Sequence, residues 1–309
     1  MTHRVAIVGL GGIAQKGHLP ILSTMKDLEL MFYSRTAEKV FEIAAQYRIA
    51  KATNQLEQLF EWQPQTAFIL TPTPTHASLA SQFLNNGIDV FMEKPASESS
   101  EETRRLAELA DQNKSILMLA FNRRFAPLSI KAKELWGTRK VTLGVFQKNR
   151  AKPGFQGLFN HVNEELVHVI DLARFFCGEA KAINTTYTLG HDNYVLEVVS
   201  LLQLENGGFV NVLASLQAGQ WYEHYELNGE SATIRLNTFS DLTFISNNES
   251  LIWREPYDST WNSNLYGRGF VNQIEHFFHC VKTRQQPITN AWDSVKTQQL
   301  VEDILAKAQ

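Results

Sequence analysis

Cysteine is nearly missing from this chain: Cys177 and Cys280 are the only two among 309 residues. So wide a separation excludes a cysteine zinc knuckle; two buried thiols in a reducing cytoplasm are the expectation, with one structural disulfide as the alternative. Also missing is any apolar run near the roughly 20 residues of a membrane span. The early Val5-Ala6-Ile7-Val8 run is too short, and too soon followed by glycines, for a secretory signal. Nor does one charge dominate. Twenty-nine Lys plus Arg stand against 32 Asp plus Glu, a formal net charge of -3, which advertises no nucleic-acid surface. There is no internal repeat, no low-complexity linker and no Gly-x-Ser-x-Gly nucleophile elbow. What remains is a compact cytoplasmic chain with no membrane and no nucleic-acid partner. At roughly 150 residues per domain its length suggests two domains.

Up to about residue 120, short apolar runs alternate with amphipathic stretches. Val5–Val8, Leu28–Tyr33, Thr66–Leu70, Val90–Met92 and Ile116–Phe121 read as strands, with Lys51–Thr53 as a weaker one. Helices are expected near 12–25, 37–47, 75–86 and 98–113. Nearly continuous apolar strands joined by helical crossovers predict a parallel sheet buried on both faces. After Phe121 the pattern changes. A helix is expected over 163–176, then alternating strands at Tyr194–Glu205, Phe209–Ala218, Tyr222–Leu227 and Ala232–Leu236. Glu205-Asn206-Gly207-Gly208 and Asn228-Gly229 punctuate them as turns. Helical periodicity returns near 269–283 and 292–307. The fold class expected is α/β: a doubly wound Rossmann sheet over 1–121, then an α/β domain with a large, mostly antiparallel sheet over 122–309.

Gly9-Leu10-Gly11-Gly12-Ile13-Ala14 satisfies Gly-x-Gly-x-x-Gly/Ala immediately after the first strand. Glycine allows the tight turn at 9 and close backbone approach at 11, Ala14 is small enough for helix–strand packing, and the following helix aims its amides at a pyrophosphate. A cofactor-free turn in an α/β protein is the alternative. The second strand ends Phe32-Tyr33-Ser34-Arg35 and offers no carboxylate to a ribose. Ser34 and Arg35 suit a 2'-phosphate instead, so NADP is favoured over NAD, although Arg35 could equally be solvated surface. Thr71-Pro72-Thr73-Pro74-Thr75-His76 follows the next strand. Thr73 or Thr75 is expected to cap the helix there, and Thr71, Thr73 and His76 are candidate cofactor contacts.

Glu93-Lys94-Pro95 follows the Val90–Met92 strand, where ligands of doubly wound sheets collect. The Lys94 ammonium there can stabilise a developing alkoxide, and Glu93 can orient it or the cofactor; a solvated Glu/Lys pair is the plainer account. Asn122, Arg123 and Arg124 are candidate substrate contacts, with a salt bridge an equal account of either arginine. Within the 163–176 helix, Glu164, His168 and Asp171 fall on one narrow face at about 100° per residue. His168 has the intrinsic range for proton exchange and a carboxylate could fix its tautomer, unless the stripe is merely solvated. His161, Glu164 and His168 do not match a zinc spacing, so no metal is expected.

Together, Gly9–Ala14, Thr71–His76, Glu93-Lys94-Pro95, Asn122-Arg123-Arg124-Phe125, the Glu164–Asp171 helix and the Phe270–Pro287 segment resemble the Gfo/Idh/MocA oxidoreductase family, in particular its bacterial virulence-factor MviM-like branch. The resemblance implies Lys94 beside the substrate, His168 as the proton-transfer residue and Glu164 in place of the family's usual aspartate. It also implies reversible hydride transfer between NAD(P) and a secondary alcohol or carbonyl of a sugar, cyclitol or related molecule. A homodimer or higher oligomer through the second sheet is implied as well. Arg123, Arg124, Lys148, Arg150 and Lys152 leave an anionic derivative open. Reduction of a conjugated substrate, C–O cleavage through transient redox chemistry, and a non-catalytic dinucleotide-dependent sensor are the alternatives.

Overall fold

The computed structural model describes residues 2–152, 155–254 and 264–309. The chain divides into two compact units, Met1–Ala120 with Gln273–Val295, and Phe121–Asn272 with Lys296–Gln309. The break falls one residue from the sequence-based boundary, but Gln273–Val295 belongs with the first unit. Chain order alone had assigned it to the second.

The first unit is a six-stranded parallel sheet: β1 (His3–Val8), β2 (Leu28–Tyr33), β3 (Lys51–Thr53), β4 (Thr66–Ile69), β5 (Asp89–Met92) and β6 (Leu117–Leu119), in the order β3-β2-β1-β4-β5-β6. Such an order reverses direction between β1 and β4, and dinucleotides bind in the crevice at that reversal. β1, β4 and β5 are buried almost throughout, as helix-covered parallel strands must be. Helices at Ala37–Tyr47, His76–Asn85 and Ser100–Gln112 match their expected ranges. Ser99 caps the last of these by accepting from the Glu102 amide at 3.2 Å. The short helix Leu56–Glu61 was not foreseen; six residues show too little periodicity to stand out.

Gln273–Val295 is held to this sheet by chemistry that its distance along the chain conceals. Phe277 meets Phe68 and Phe91 with ring centroids 5.4 and 5.5 Å apart. Arg284 clasps Asp89 at 2.6 Å, and the Leu119 amide donates to the Thr289 carbonyl at 2.9 Å.

The second unit carries an eight-stranded sheet. Its strands are β7 (Leu143–Asn149), β8 (Ala180–Leu189), β9 (Val195–Leu204), β10 (Phe209–Ser215), β11 (Tyr222–Gly229), β12 (Ala232–Asn237), β13 (Asp241–Ser246) and β14 (Glu249–Arg254). They run in the order β14-β13-β12-β11-β7-β10-β9-β8, and only the β10–β7 pairing is parallel. β7, in the middle, and the helix Pro127–Trp136 had escaped notice. The strand's end, Gln147-Lys148-Asn149, is polar: Lys148 is buried in ion pairs with Glu165 and Glu223, and Asn149 is hydrogen-bonded to Gln147 and the Ser215 amide.

One turn lies elsewhere than expected. Asn228 and Gly229 belong to β11, while Glu230 and Ser231, with φ of 47° and 58°, make the β11–β12 hairpin turn. Gly229 is required for a different reason: a Cβ there would drive into the Lys140 carbonyl. Cys177 and Cys280 are both free. Among the described residues no helix is long and apolar enough to cross a membrane.

Candidate active site

The glycine turn joins β1 to a helix that starts in an unusual way. Ala14–His18 forms a π-turn before the α-helix Leu19–Leu22, where a plain α-helix over 12–25 had been expected. Gly9 has φ +95°, and a Cβ on it would lie 2.7 Å from the Thr71 methyl and 2.9 Å from the Leu70 carbonyl carbon. Only glycine fits there. Beside Gly11 and Gly12 nothing lies within 4 Å of a built Cβ, so the backbone is open to approach. Ala14 is fully buried and Ile13 is 41% exposed.

A cavity of about 560 Å³ opens at this turn, lined by Gly9, Gly11, Ser34, Arg35, Lys39 and Thr71 among others. An open glycine backbone at the mouth of the β1–β4 crevice, with hydroxyls and two cations at the β2 end, fits a dinucleotide's pyrophosphate and adenosine portions. Lys39 had not been singled out. It lies one helical turn beyond Ser34-Arg35, so the helix following β2 was the signal available.

The Thr71 turn differs in detail from expectation. Neither Thr73 nor Thr75 caps the His76–Asn85 helix through its side chain. Thr75 Oγ1 donates instead to Thr71 Oγ1 at 2.8 Å and to the Pro72 carbonyl at 2.7 Å, tightening the turn on itself. Thr73 is buried. The His76 ring is also buried, with Nδ1 2.7 Å from the Pro95 carbonyl oxygen and Nε2 2.7 Å from that of Thr71. It thereby ties the turn after β4 to the loop after β5.

That second loop carries Glu93-Lys94. Glu93 is 8% exposed and accepts a hydrogen bond from His18 Nε2 at 2.7 Å. Burial by itself would raise its carboxyl pKa, but His18, Lys94 and His76 outweigh burial and hold it below the usual range. The Lys94 amide donates to Glu93 Oε2 at 3.3 Å. A fixed carboxylate thus precedes Lys94 at the carboxyl end of β5. His18 was missed in the sequence; a histidine immediately before the apolar Leu19–Leu22 turn was the signal.

In the second unit the expected 163–176 helix is a π-turn, Val162–Leu166, running into the α-helix Val167–Cys177. The constant 100° step therefore does not extend through Glu164. Glu164 and His168 are half-buried. The His168 ring stands edge-on to Phe121, centroids 6.3 Å apart at 90°. Asp171 turns away into the protein. It is 1% exposed and accepts from Arg124 Nε at 2.7 Å, Arg124 Nη2 at 2.5 Å and Thr297 Oγ1 at 3.0 Å. The single stripe expected from spacing is thus divided between a half-buried Glu164/His168 pair and a buried structural carboxylate.

The basic residues are similarly committed. Arg123 makes a bidentate pair with Glu223, at 2.6 and 2.5 Å. Burial opposes ionisation of Glu223, yet Arg123 and Lys148 overcome it and bring its pKa to about 2. Burial lowers that of Lys148 to about 8, against the pull of Glu223 and Glu165; its ammonium is paired with the Glu165 carboxylate. Arg150 reaches Glu165 at 3.2 Å. These pairs engage Arg123, Arg124, Lys148 and Arg150, four of the five cations on which an anionic derivative had been left open. Asn122 Nδ2 donates to the Arg268 carbonyl at 2.8 Å. Among the described residues no group of three or more His, Cys, Asp or Glu side chains could hold a metal ion.

Comparison with known proteins agrees with this geometry. Residues 3–121 match the model for the GFO_IDH_MocA oxidoreductase family, NAD-binding Rossmann fold. The chain is 28% identical to YceM of Salmonella typhimurium, named as an oxidoreductase, over 97% of this chain and 96% of YceM. It is 26% identical to the scyllo-inositol 2-dehydrogenase (NADP(+)) IolU of Bacillus subtilis, over 76% of each. The MviM dehydrogenase of Clostridium difficile shares its fold, with a TM-score of 0.89, 23% identity and 99% coverage of both chains. With the glycine cradle at the β1–β4 crevice and the lysine beyond β5, residues 3–121 form an NAD-binding Rossmann domain that matches the Gfo/Idh/MocA oxidoreductase family.

Proposed function

We propose that this oxidoreductase interconverts a secondary alcohol and a carbonyl on a neutral polyol, a cyclitol or a sugar, and that it prefers NADP. One observation carries the proposal. Lys94 stands directly beyond β5, beside the strand that backs the Gly9 turn, and the carboxylate before it is locked by His18. IolU, 26% identical over 76% of this chain and a cyclitol dehydrogenase by name, supports the substrate class.

Bound NAD(P) supplies the hydride acceptor in one direction and the hydride donor in the other. Lys94 holds the reacting oxygen and stabilises negative charge on it as the hydroxyl proton leaves. His168 takes that proton as general base and returns it in reduction. Glu164, one turn earlier, orients the imidazole or a neighbouring substrate hydroxyl. The proposal requires Lys94 and His168 to serve the same substrate carbon. Asn122, Arg123 and Arg124 stay candidate substrate contacts in this proposal, although the two guanidinium groups are already held by carboxylates.

NADP is preferred because Ser34, Arg35 and Lys39 share a cavity with no carboxylate in its lining. A 2'-phosphate meets two cations there, and a ribose diol meets no acceptor of the usual kind. Self-association through the second sheet is part of the same proposal. Leu143, Val199 and Phe209 are 40–46% exposed on the adjacent strands β7, β9 and β10, and light scattering that returned only a monomer would sink it.

The test follows nicotinamide absorbance across a panel of cyclitols and sugars with both coenzymes. Lys94→Ala and His168→Ala should each reduce turnover by roughly 10²–10⁴-fold. Coenzyme affinity should stay within about threefold of wild type. Wild-type turnover in both variants would overturn the roles.

A further inference from the structure

The second unit holds an aromatic pocket that the hydride-transfer chemistry does not use. Trp221 and Phe239 stack with centroids 5.4 Å apart at an interplanar angle of 19°. The Arg268 guanidinium carbon lies 4.9 Å from the first ring's centroid and 4.8 Å from the second's. Arg268 Nε donates to Asn264 Oδ1 at 3.1 Å, so the cation over the rings is itself anchored. Two stacked rings under an anchored guanidinium cannot swing freely. Yet Trp221 is 37% exposed and its neighbour Tyr222 is 39% exposed. Exposed aromatic surface held in one orientation is a common property of ligand platforms, since little side-chain entropy remains to be lost on binding.

These rings border a cavity of about 430 Å³, whose lining includes Gln220, Asn237 and Ser240. That volume lies within the small-ligand range. The polar groups at its wall are amides and hydroxyls. Among the described lining residues there is no lysine or arginine, and the carboxylate there, Glu223, is held by Arg123; the Arg268 guanidinium over the rings is bonded to Asn264. Such a wall suits uncharged hydroxyl-rich molecules, and the Arg268 cation beside it already lies over the Trp221 and Phe239 rings.

The pocket is connected to the proposed catalytic histidine through four consecutive residues, all in the second unit. Phe121 packs edge-on against the His168 ring. Asn122 donates to the carbonyl of Arg268, the residue over the Trp221/Phe239 stack. Arg123 is bonded to Glu223, two residues beyond Trp221. Arg124 is bonded to Asp171, three residues beyond His168. A short segment thus fixes the histidine helix at two points and the aromatic pocket at two others.

We propose that this pocket is a subsite for the non-reacting ring of a glycosylated substrate: a neutral pyranose that lays its C–H face on Trp221 and hydrogen-bonds Gln220 or donates to the Ser240 hydroxyl oxygen, the Asn237 amide being held by Asp241 and His224. The substrate would then be a glycoside larger than a single sugar or cyclitol. This rests on the polyol reading above, but ring binding needs neither coenzyme nor turnover, so the two can fail separately.

The test is saturation-transfer NMR and calorimetric titration of the full chain, without coenzyme, using cellobiose, maltose and lactose as probes. At least one disaccharide should bind saturably. Trp221→Ala should weaken it about tenfold or more, and Trp221→Phe, which keeps an aromatic face, should stay within about threefold of wild type. NADPH affinity, measured in parallel, should be unchanged in both variants and so reports an intact fold. Absence of binding to all three disaccharides would overturn the proposal. So would equal affinity in Trp221→Ala, or binding of UDP in preference to the neutral sugars. Failure of the polyol reading would show instead as saturable disaccharide binding with no coenzyme turnover on any polyol.

Discussion

His161 gives the sharpest quantitative test of how this protein is held together. Its side chain is fully buried, and neither ring nitrogen has a hydrogen-bond partner among the described residues. Burial is the foremost cause that lowers its pKa to about 4; Lys148 and Arg150 add to the effect and Glu165 opposes it. In the unfolded chain the same ring titrates near 6.5. The folded state therefore binds fewer protons. His161's contribution to stability is complete above pH ~6.5 and is lost as pH falls from there toward about 4. A gap of roughly 2.5 units corresponds to about 3 kcal/mol.

His161→Phe keeps a buried aromatic ring, slightly larger than imidazole, and removes its titration; any packing cost is independent of pH. In urea denaturation followed by tryptophan fluorescence, wild type should lose about 3 kcal/mol more than the variant between pH ~7 and ~4. Carboxylates with depressed pKa values, such as Glu223 at about 2, also cost stability on acidification. Their window opens only below about pH 4.5 and is common to both proteins, so it cancels in the difference. Parallel stability–pH curves for the two proteins would refute the assignment of a neutral, buried, unpartnered imidazole.

Two other perturbations follow from the geometry. Asp171→Ala leaves the Arg124 guanidinium, 5% exposed, without its bidentate partner. That should cost about 3–5 kcal/mol in denaturant titration, and a loss below about 1 kcal/mol would show that the pair is not structural. Arg35→Ala, alone or with Lys39→Ala, should weaken NADPH about tenfold while NADH stays within about twofold; equal losses for both coenzymes would contradict a 2'-phosphate contact.

Much of the first unit could be read in the chain order of its residues. Its strands are short apolar runs because both faces are covered, and its helices carry 3.6-residue periodicity, so local pattern and tertiary role coincide. The glycine turn was legible for the same reason: only glycine fits φ +95° against Thr71, so residue type and backbone geometry are one fact. β7 was not legible, since its last residues are polar and the burial of Lys148 depends on Glu165 and Glu223, which come from other elements.

The amino-acid sequence alone determined the α/β class, the crevice for a dinucleotide and the candidate residues Lys94 and His168. Each follows from a residue's own conformational limits or from periodicity within a few turns. Tertiary structure alone decided which charges are spent. Spacing could not tell that Arg123 and Arg124 would close on Glu223 and Asp171, that His18 would fix Glu93, or that Gln273–Val295 would return to the first sheet. Those partners lie 47–100 residues apart in the arginine pairs and 75 in the histidine pair. The energy of a buried ion depends on what surrounds it in space, not on its neighbours in the chain.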